Sequence, residues 1–351
     1  MSISSSFWKG KKVFLTGHTG FKGGWMSLWL QSMGSDLYGY SLEPPTENNL
    51  FSSAKVDENM KSIIGDIRDL NFLKSNLKEI NPDIVIHMAA QPLVRLSYSE
   101  PVETYSTNIM GTVNLLEASR YASNIGAILN VTSDKCYENN EWDWGYRENE
   151  PMGGHDPYSN SKGCAELVTS AYRKSFFTDS KIGLGTARSG NVIGGGDWAE
   201  DRLVPDTLKA FQNLESVIIR NPFSTRPWQH VLEPLSGYLS LSEKLYNDGK
   251  NFSSAWNFGP REEDSKQVDW IVEEIAKQWG EKAKWSIDEG KNLHEANFLK
   301  LDISKAALRL KWVPTWSIKE AIKKTVSWHK SWLSNENVQI KSIEQINDFK
   351  S

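Results

Sequence analysis

The sequence predicts an α/β fold, a doubly wound parallel sheet followed by a smaller mixed α/β subdomain at the C-terminal end. Three observations carry this. Through the first half, short apolar runs alternate with helical patterns, as a parallel sheet with crossover helices requires. A glycine-rich turn follows the first of those runs. Beyond "KIGLGTARSGNVIGGGDW" the alternation weakens, which marks the second subdomain. The expected division is 1–188 for the sheet domain, with 230–258 packing back onto it, and 189–351 for the second.

Each element has its own warrant. "KKVFLTG" is a buried first strand, and Trp25, Leu28, Trp29 and Met33 then recur on one helical face that Gly34 terminates. "DLYGYSL" and "SIIGDI" are the next strands. Phe72, Leu77 and Ile80 mark a helix, and "PDIVIHMAA" is the fourth strand. The stretch "ETYSTNIMGTVNLLEASRYA" is helical, and "GAILNVTSDKCY" puts "TSDK" at the carboxyl end of a strand, where parallel sheets gather ligands. Farther on, "VPDTLKAFQN" and "QVDWIVEEIAKQWG" are helical and "SVIIR" is a strand. "HVLEPLSGYLSLSEKLYN" is a helix that returns to the first sheet. The last fifteen or so residues are polar enough to fray.

A chain of 351 residues exceeds what one core organises well, which favours two subdomains. The net charge of -4 gives no overall basic field for nucleic acid or an anionic membrane. Cys136 and Cys164 cannot build a disulfide framework and match no zinc spacing, so no metal is expected. The N-terminus lacks the apolar core of a signal peptide, and no run approaches the roughly 18 apolar residues of a membrane span. A soluble, cytoplasmic protein is expected.

"TGHTGFKG" places Gly17, Gly20 and Gly23 between a strand and a helix. Glycines there allow a tight turn and close backbone approach, and the helix start offers unpaired N–H groups to a pyrophosphate. The first domain is therefore expected to be of the Rossmann type. At the end of the second strand stands Ser41, which can bond a ribose hydroxyl or tolerate a phosphate. No arginine in "GYSLEPPTENN" could pair with a 2′-phosphate, which favours NAD. Asp66 is a candidate acceptor for the adenine amino group, with Ile67 packing beside it.

In "YSNSK", Tyr158 and Lys162 stand four apart and share a helical face. A phenol titrates near 10, but an adjacent ammonium and a nicotinium favour phenolate. Such a pair suits alcohol deprotonation coupled to hydride transfer, and Ser133 lies at a strand end upstream.

With "TGHTGFKG", "GDIRD", "VIHMAAQ", "TNIMGT", "TSDKCY", "YSNSK", "RSGNVIG", "RPWQHVLE", "WNFGP" and "LDISKAALRLKWVP", the chain resembles the extended short-chain dehydrogenases/reductases, and among them the nucleotide-sugar 4,6-dehydratases. The stretches "TGHTGFKGGWMSLWL", "EPPTENNLF", "TSDKCYEN" and "RSGNVIGGGDW" resemble the branch that acts on CDP-glucose. The resemblance implies a redox-neutral dehydration serving deoxysugar biosynthesis, with NAD as cofactor and a homodimer or homotetramer as the assembly. It implies that Tyr158 deprotonates the sugar C4 hydroxyl, Ser133 holds that hydroxyl and Lys162 binds the nicotinamide ribose. Cofactor contacts are implied at Gly17, His18, Gly20, Phe21, Lys22, Gly23, Ser41, Asp66, Ile67, Ala89 and Ala90, and His18 replaces a glycine common in related loops. Substrate contacts are implied at Gln91, Arg95, Ser97, Asn191, Arg202 and Arg226, the arginines suiting a diphosphate. Related dehydratases commonly carry Thr-Asp-Glu where this chain has Ser133, Asp134 and Lys135. Asp134 matches the acid at the C6 oxygen. Lys135 departs from the pattern: it can take the C5 proton as a neutral base, or stay cationic and stabilise the enolate while Tyr158 moves that proton.

Overall fold

The computed structural model describes residues 3–288, 290 and 298–350. Seven strands form its main sheet: β1 (Lys12–Thr16), β2 (Asp36–Ser41), β3 (Lys61–Ile64), β4 (Ile84–His87), β5 (Ala127–Val131), β6 (Gly183–Ser189) and β7 (Ala255–Phe258). Their order is β7-β6-β5-β4-β1-β2-β3, and every neighbouring pair is parallel. The chain leaves β1 for β2 on one side, while β4 lies on the other. A crevice therefore opens above β1 and β4, the switch point at which such sheets bind ligands.

Alternation along the strands feeds two cores. Val13, Leu15, Ile84, Ile86 and Leu129 point into one, and Phe14, Val85 and Ile128 into the other. The first core is covered by the helices Phe21–Ser32 and Leu232–Phe252, the second by Leu70–Ile80 and Gly111–Ser119. A third cluster belongs to the C-terminal part, where Val204, Leu208, Phe211, Ile271, Val272 and Ile322 meet Val217 and Ile219 of a short strand pair.

Two sequence expectations change. The expected amphipathic face of Phe21–Ser32 is in fact one side of a helix buried all round from Gly23 to Leu30. Its outer side is covered by Val338–Lys350, the segment expected to fray. Phe349 meets Trp29 and Trp316 edge-on, with ring centroids 5.7 and 5.1 Å away, and Trp328 donates to Ser342 at 2.8 Å. The sparse apolar residues Val338, Ile346 and Phe349 all fall on the buried side, so a polar composition still makes a docked helix.

Candidate active site

The stretch that follows β5 turns sharply. Ser133 caps a single 3-10 turn over Asp134–Cys136, its Oγ accepting from the Lys135 N–H at 3.2 Å. The same hydroxyl donates to Asp134 Oδ1 at 3.0 Å, and Ser133 lies beside Tyr158, where it opposes the upward shift that burial imposes on the phenol. Asp134 is 2 % exposed, and burial raises its carboxyl pKa against the opposing Lys135 charge and the Ser133 hydrogen bond. The carboxyl is thereby biased towards its protonated form.

Tyr158 and Lys162 come from the helix Pro157–Ser175, which begins where the sequence dictates. Asp156 accepts from the Ser159 N–H at 2.9 Å, and Pro157 occupies the first turn, where its missing N–H costs nothing. Both side chains are buried. Burial lifts the Tyr158 phenol to about 12 and draws the Lys162 ammonium down to about 8. Lys162 Nζ reaches the Val131 carbonyl at 3.5 Å. Burial favours Tyr158 as a phenol, so its activation as a base calls for positive charge beside it.

The glycine loop follows β1. Gly17 has φ +80°, and a Cβ on Gly23 would lie 2.0 Å from the Gly17 carbonyl oxygen, so the helix start closes tightly on the turn. Gly20 caps that helix without a side-chain hydrogen bond, leaving first-turn N–H groups for an anion. Lys22 reaches from the loop across to Ser189 at 2.9 Å, and Ser189 accepts from Tyr238 at 2.8 Å. Burial first, then the Arg202 charge, pull the Lys22 ammonium down to about 7. Ser41 meets Thr19 at 2.8 Å beside this loop. The Asp66 carboxylate is gripped by Arg68, Ile67 is buried and Ala89 N–H donates to Thr16 at 3.1 Å.

Three residues named from the sequence have side chains engaged within the protein. His18 is fully enclosed, its Nε2 at 2.7 Å from Ser62 and its ring edge-on to Phe51, with burial lowering it to about 4. The ring fills space under the loop. Ser97 is also fully buried and donates to the Val94 carbonyl within its own helix. Gln91 uses its amide on Leu93 and Thr104, while its backbone is held by Asn108. Gln91 and Ser97 thus brace their own loop and helix through these hydrogen bonds.

The cationic side chains stay near the opening. Arg95 and Arg220 both pair with Asp201, Arg202 pairs with Asp197, and Arg226 is 8 % exposed with Nη1 on the Thr225 carbonyl. The Asn191 carbonyl accepts from Gln229. His87 and His230 are buried and held neutral, each lowered to about 3. Among the described residues no group of three or more His, Cys, Asp or Glu could hold a metal. Nor is any helix there long and apolar enough to cross a membrane.

A buried ion pair went unread in the sequence. Glu166 and Arg188 face each other at 2.9 Å, both almost wholly enclosed. Glu166 continues the spacing of Tyr158 and Lys162 by one more helical turn, the signal that could have found it.

The GDP-mannose 4,6-dehydratase family model matches residues 14–325. This chain belongs to that family. It is 56% identical to the CDP-glucose 4,6-dehydratase of Salmonella typhimurium over 99% of both chains. It is 26% identical to the dTDP-D-glucose 4,6-dehydratase of Homo sapiens, covering 95% of this chain and 94% of that one. A double mutant of DesIV, a dTDP-glucose 4,6-dehydratase from Streptomyces venezuelae solved with NAD bound, shares the fold at a TM-score of 0.80 and 18% identity, over 93% of this chain and 99% of that one. For a GDP-mannose 4,6-dehydratase family member, the groups after β5 and on Pro157–Ser175 meet at the place in the sheet where a ligand would enter.

Proposed function

We propose that this chain is an NAD-dependent hydro-lyase that converts CDP-glucose to CDP-4-dehydro-6-deoxy-D-glucose and water. The carrying observation is the meeting of Ser133 and Asp134 with Tyr158 at the carboxyl end of β5, one helical turn from Lys162. The likeness to the Salmonella typhimurium enzyme over 99% of both chains supports the choice of base and sugar. The loop fits NAD: Gly17 and Gly23 leave no room for side chains, the helix start is uncapped, and no arginine in "GYSLEPPTENN" could meet a 2′-phosphate.

When bound, NAD takes hydride from the sugar C4 and returns it at C6. Tyr158 removes the C4 hydroxyl proton while Ser133 orients that hydroxyl and Lys162 bonds the nicotinamide ribose. The resulting ketone acidifies the C5–H. Asp134, entering as the acid, protonates the C6 oxygen, which leaves as water as Lys135 takes the C5 proton. After hydride reaches C6, Lys135 gives the proton back to C5, the proton gained by Tyr158 replaces the one lost by Asp134, and the cycle closes with no net oxidation. Arg202, Arg226 and Asn191 meet the diphosphate and nucleotide, with Arg95 at the rim. A cytoplasmic location and a homodimer or homotetramer complete the reading, testable by fractionation and by light scattering of the purified protein.

The deciding experiment incubates the protein with CDP-, dTDP- and GDP-glucose in turn, following product mass. Loss of one water from CDP-glucose is the expected result. Turnover of dTDP-glucose alone would overturn the base assignment, and an epimer formed without loss of water would overturn dehydration.

A further inference from the structure

Glu166 and Arg188 touch neither end of the crevice directly, yet they hold both ends of the segment that carries Ser133, Asp134 and Lys135. The Glu166 carboxylate accepts from Thr132 Oγ1 at 2.5 Å, from Thr186 Oγ1 at 2.8 Å, and from Arg188 Nε and Nη2, each at 2.9 Å. Thr132 immediately precedes Ser133. At the other end Arg188 Nη1 donates to the Tyr137 hydroxyl at 2.7 Å, and that hydroxyl donates to Asn257 Oδ1 at 2.7 Å. Tyr137 closes the turn that holds Asp134 and Lys135.

Such a pair is costly to bury, so its placement calls for a reason beyond stability. Glu166 also sits one turn after Lys162 on the same helix, and its charge favours the protonated ammonium there. One carboxylate therefore connects the helix bearing Tyr158 and Lys162 to the turn bearing the elimination groups.

We propose that the Glu166–Arg188 pair is a positioning device that sets the Thr132–Tyr137 turn against the Tyr158 helix, so that Asp134 and Lys135 address C6 and C5 of the same sugar whose C4 faces Tyr158. The proposal rests on the dehydratase reading. Misplacement by a fraction of an ångström impairs the second pair of proton transfers more than the first, because the pair ties the side chains at both ends of the turn, beside the Thr132 N–H on the Ala187 carbonyl and the Tyr137 hydroxyl on Asn257, while Tyr158 is fixed by its own helix.

The test uses Thr132→Val and Tyr137→Phe, which each remove one hydroxyl at nearly constant shape, with Thr132→Ser as the variant that restores the donor. Three readouts are compared with wild type: CDP-glucose dehydration, the pre-steady-state rise of NADH absorbance that reports C4 oxidation, and the melting temperature. The expected result for Thr132→Val and Tyr137→Phe is a roughly tenfold fall in kcat for dehydration, the loss of about one hydrogen bond to a charged group. KM and the oxidation rate stay near wild type, NADH accumulates during turnover, and Thr132→Ser recovers most of kcat. A drop in melting temperature with oxidation and dehydration lowered equally, or not at all, would overturn the proposal. Failure of wild type itself to dehydrate CDP-glucose would instead overturn the functional reading on which it rests.

Discussion

Ser133 donates to Asp134 Oδ1 at 3.0 Å, and Asp134 Oδ2 is left buried with no hydrogen-bond partner among the described residues. Burial of this carboxyl favours the acid form against the opposing charges of Lys135, Lys22 and Arg226, and the acid form needs an acceptor. A sugar C6 hydroxyl would supply one. Asp134→Asn keeps the shape and removes the transferable proton. Dehydration of CDP-glucose should fall by about 10² to 10⁴, the usual range for a lost general acid, while C4 oxidation persists. Stopped-flow NADH absorbance beside product mass distinguishes the two, and equal loss of both would refute the assignment.

Lys135 follows Asp134 in the same 3-10 turn, with its backbone fixed by Ser133 and its side chain half-buried. Lys135→Met retains the stem and removes the amine. If the lysine moves the C5 proton, solvent deuterium at C5 of the product should drop along with dehydration, whereas oxidation at C4 should not. Normal turnover by Lys135→Met would sink its role.

Lys162 titrates near 8 in the folded chain against 10.5 for an ordinary lysine, because burial opposes its charge. Between those values the unfolded chain holds more protons, so the contribution of this lysine to stability is unfavourable below about 8 and improves as pH rises towards 10.5. Lys162→Met abolishes that slope. Urea unfolding across the window should show wild type gaining stability relative to Lys162→Met as pH increases, and a constant difference would contradict it.

The glycine loop separates steric from ligand effects. A methyl group at Gly23 would lie 2.0 Å from the Gly17 carbonyl oxygen, whereas at Gly20 the nearest neighbouring atom lies at 3.4 Å. Gly23→Ala should therefore lower the melting temperature, since the loop must open to admit the methyl group. Gly20→Ala should leave the melting temperature nearly unchanged yet weaken NAD at least tenfold, because Gly20 is the cap of the helix start whose free N–H groups would take the pyrophosphate. Calorimetric titration with NAD checks this, and unchanged affinity for Gly20→Ala would remove the pyrophosphate from that helix start.

Much of this architecture was legible because it depends on local pattern. Alternating apolar runs placed the strands, "TGHTGFKG" placed the phosphate turn, and Tyr158 and Lys162 were paired by helical spacing alone. The burial of the His18 ring was not legible, because it faces inward only once β2 and β3 are laid beside β1 and Ser62 meets it. The intramolecular hydrogen bonds of Gln91 and Ser97 were likewise not legible, because a polar side chain at a strand end can serve its own loop as readily as a ligand.

The sequence by itself determined the elements, the phosphate turn and which residue types stand at the end of β5, since each follows from spacing along a few neighbouring residues. Tertiary structure alone decided that Glu166 and Arg188 brace that strand end, that Asp134 is buried enough to favour its proton, and that a polar C-terminal helix seals Trp29. Those outcomes depend on contacts between residues far apart in the chain, where burial and hydrogen-bond partners are set by the packing of whole elements.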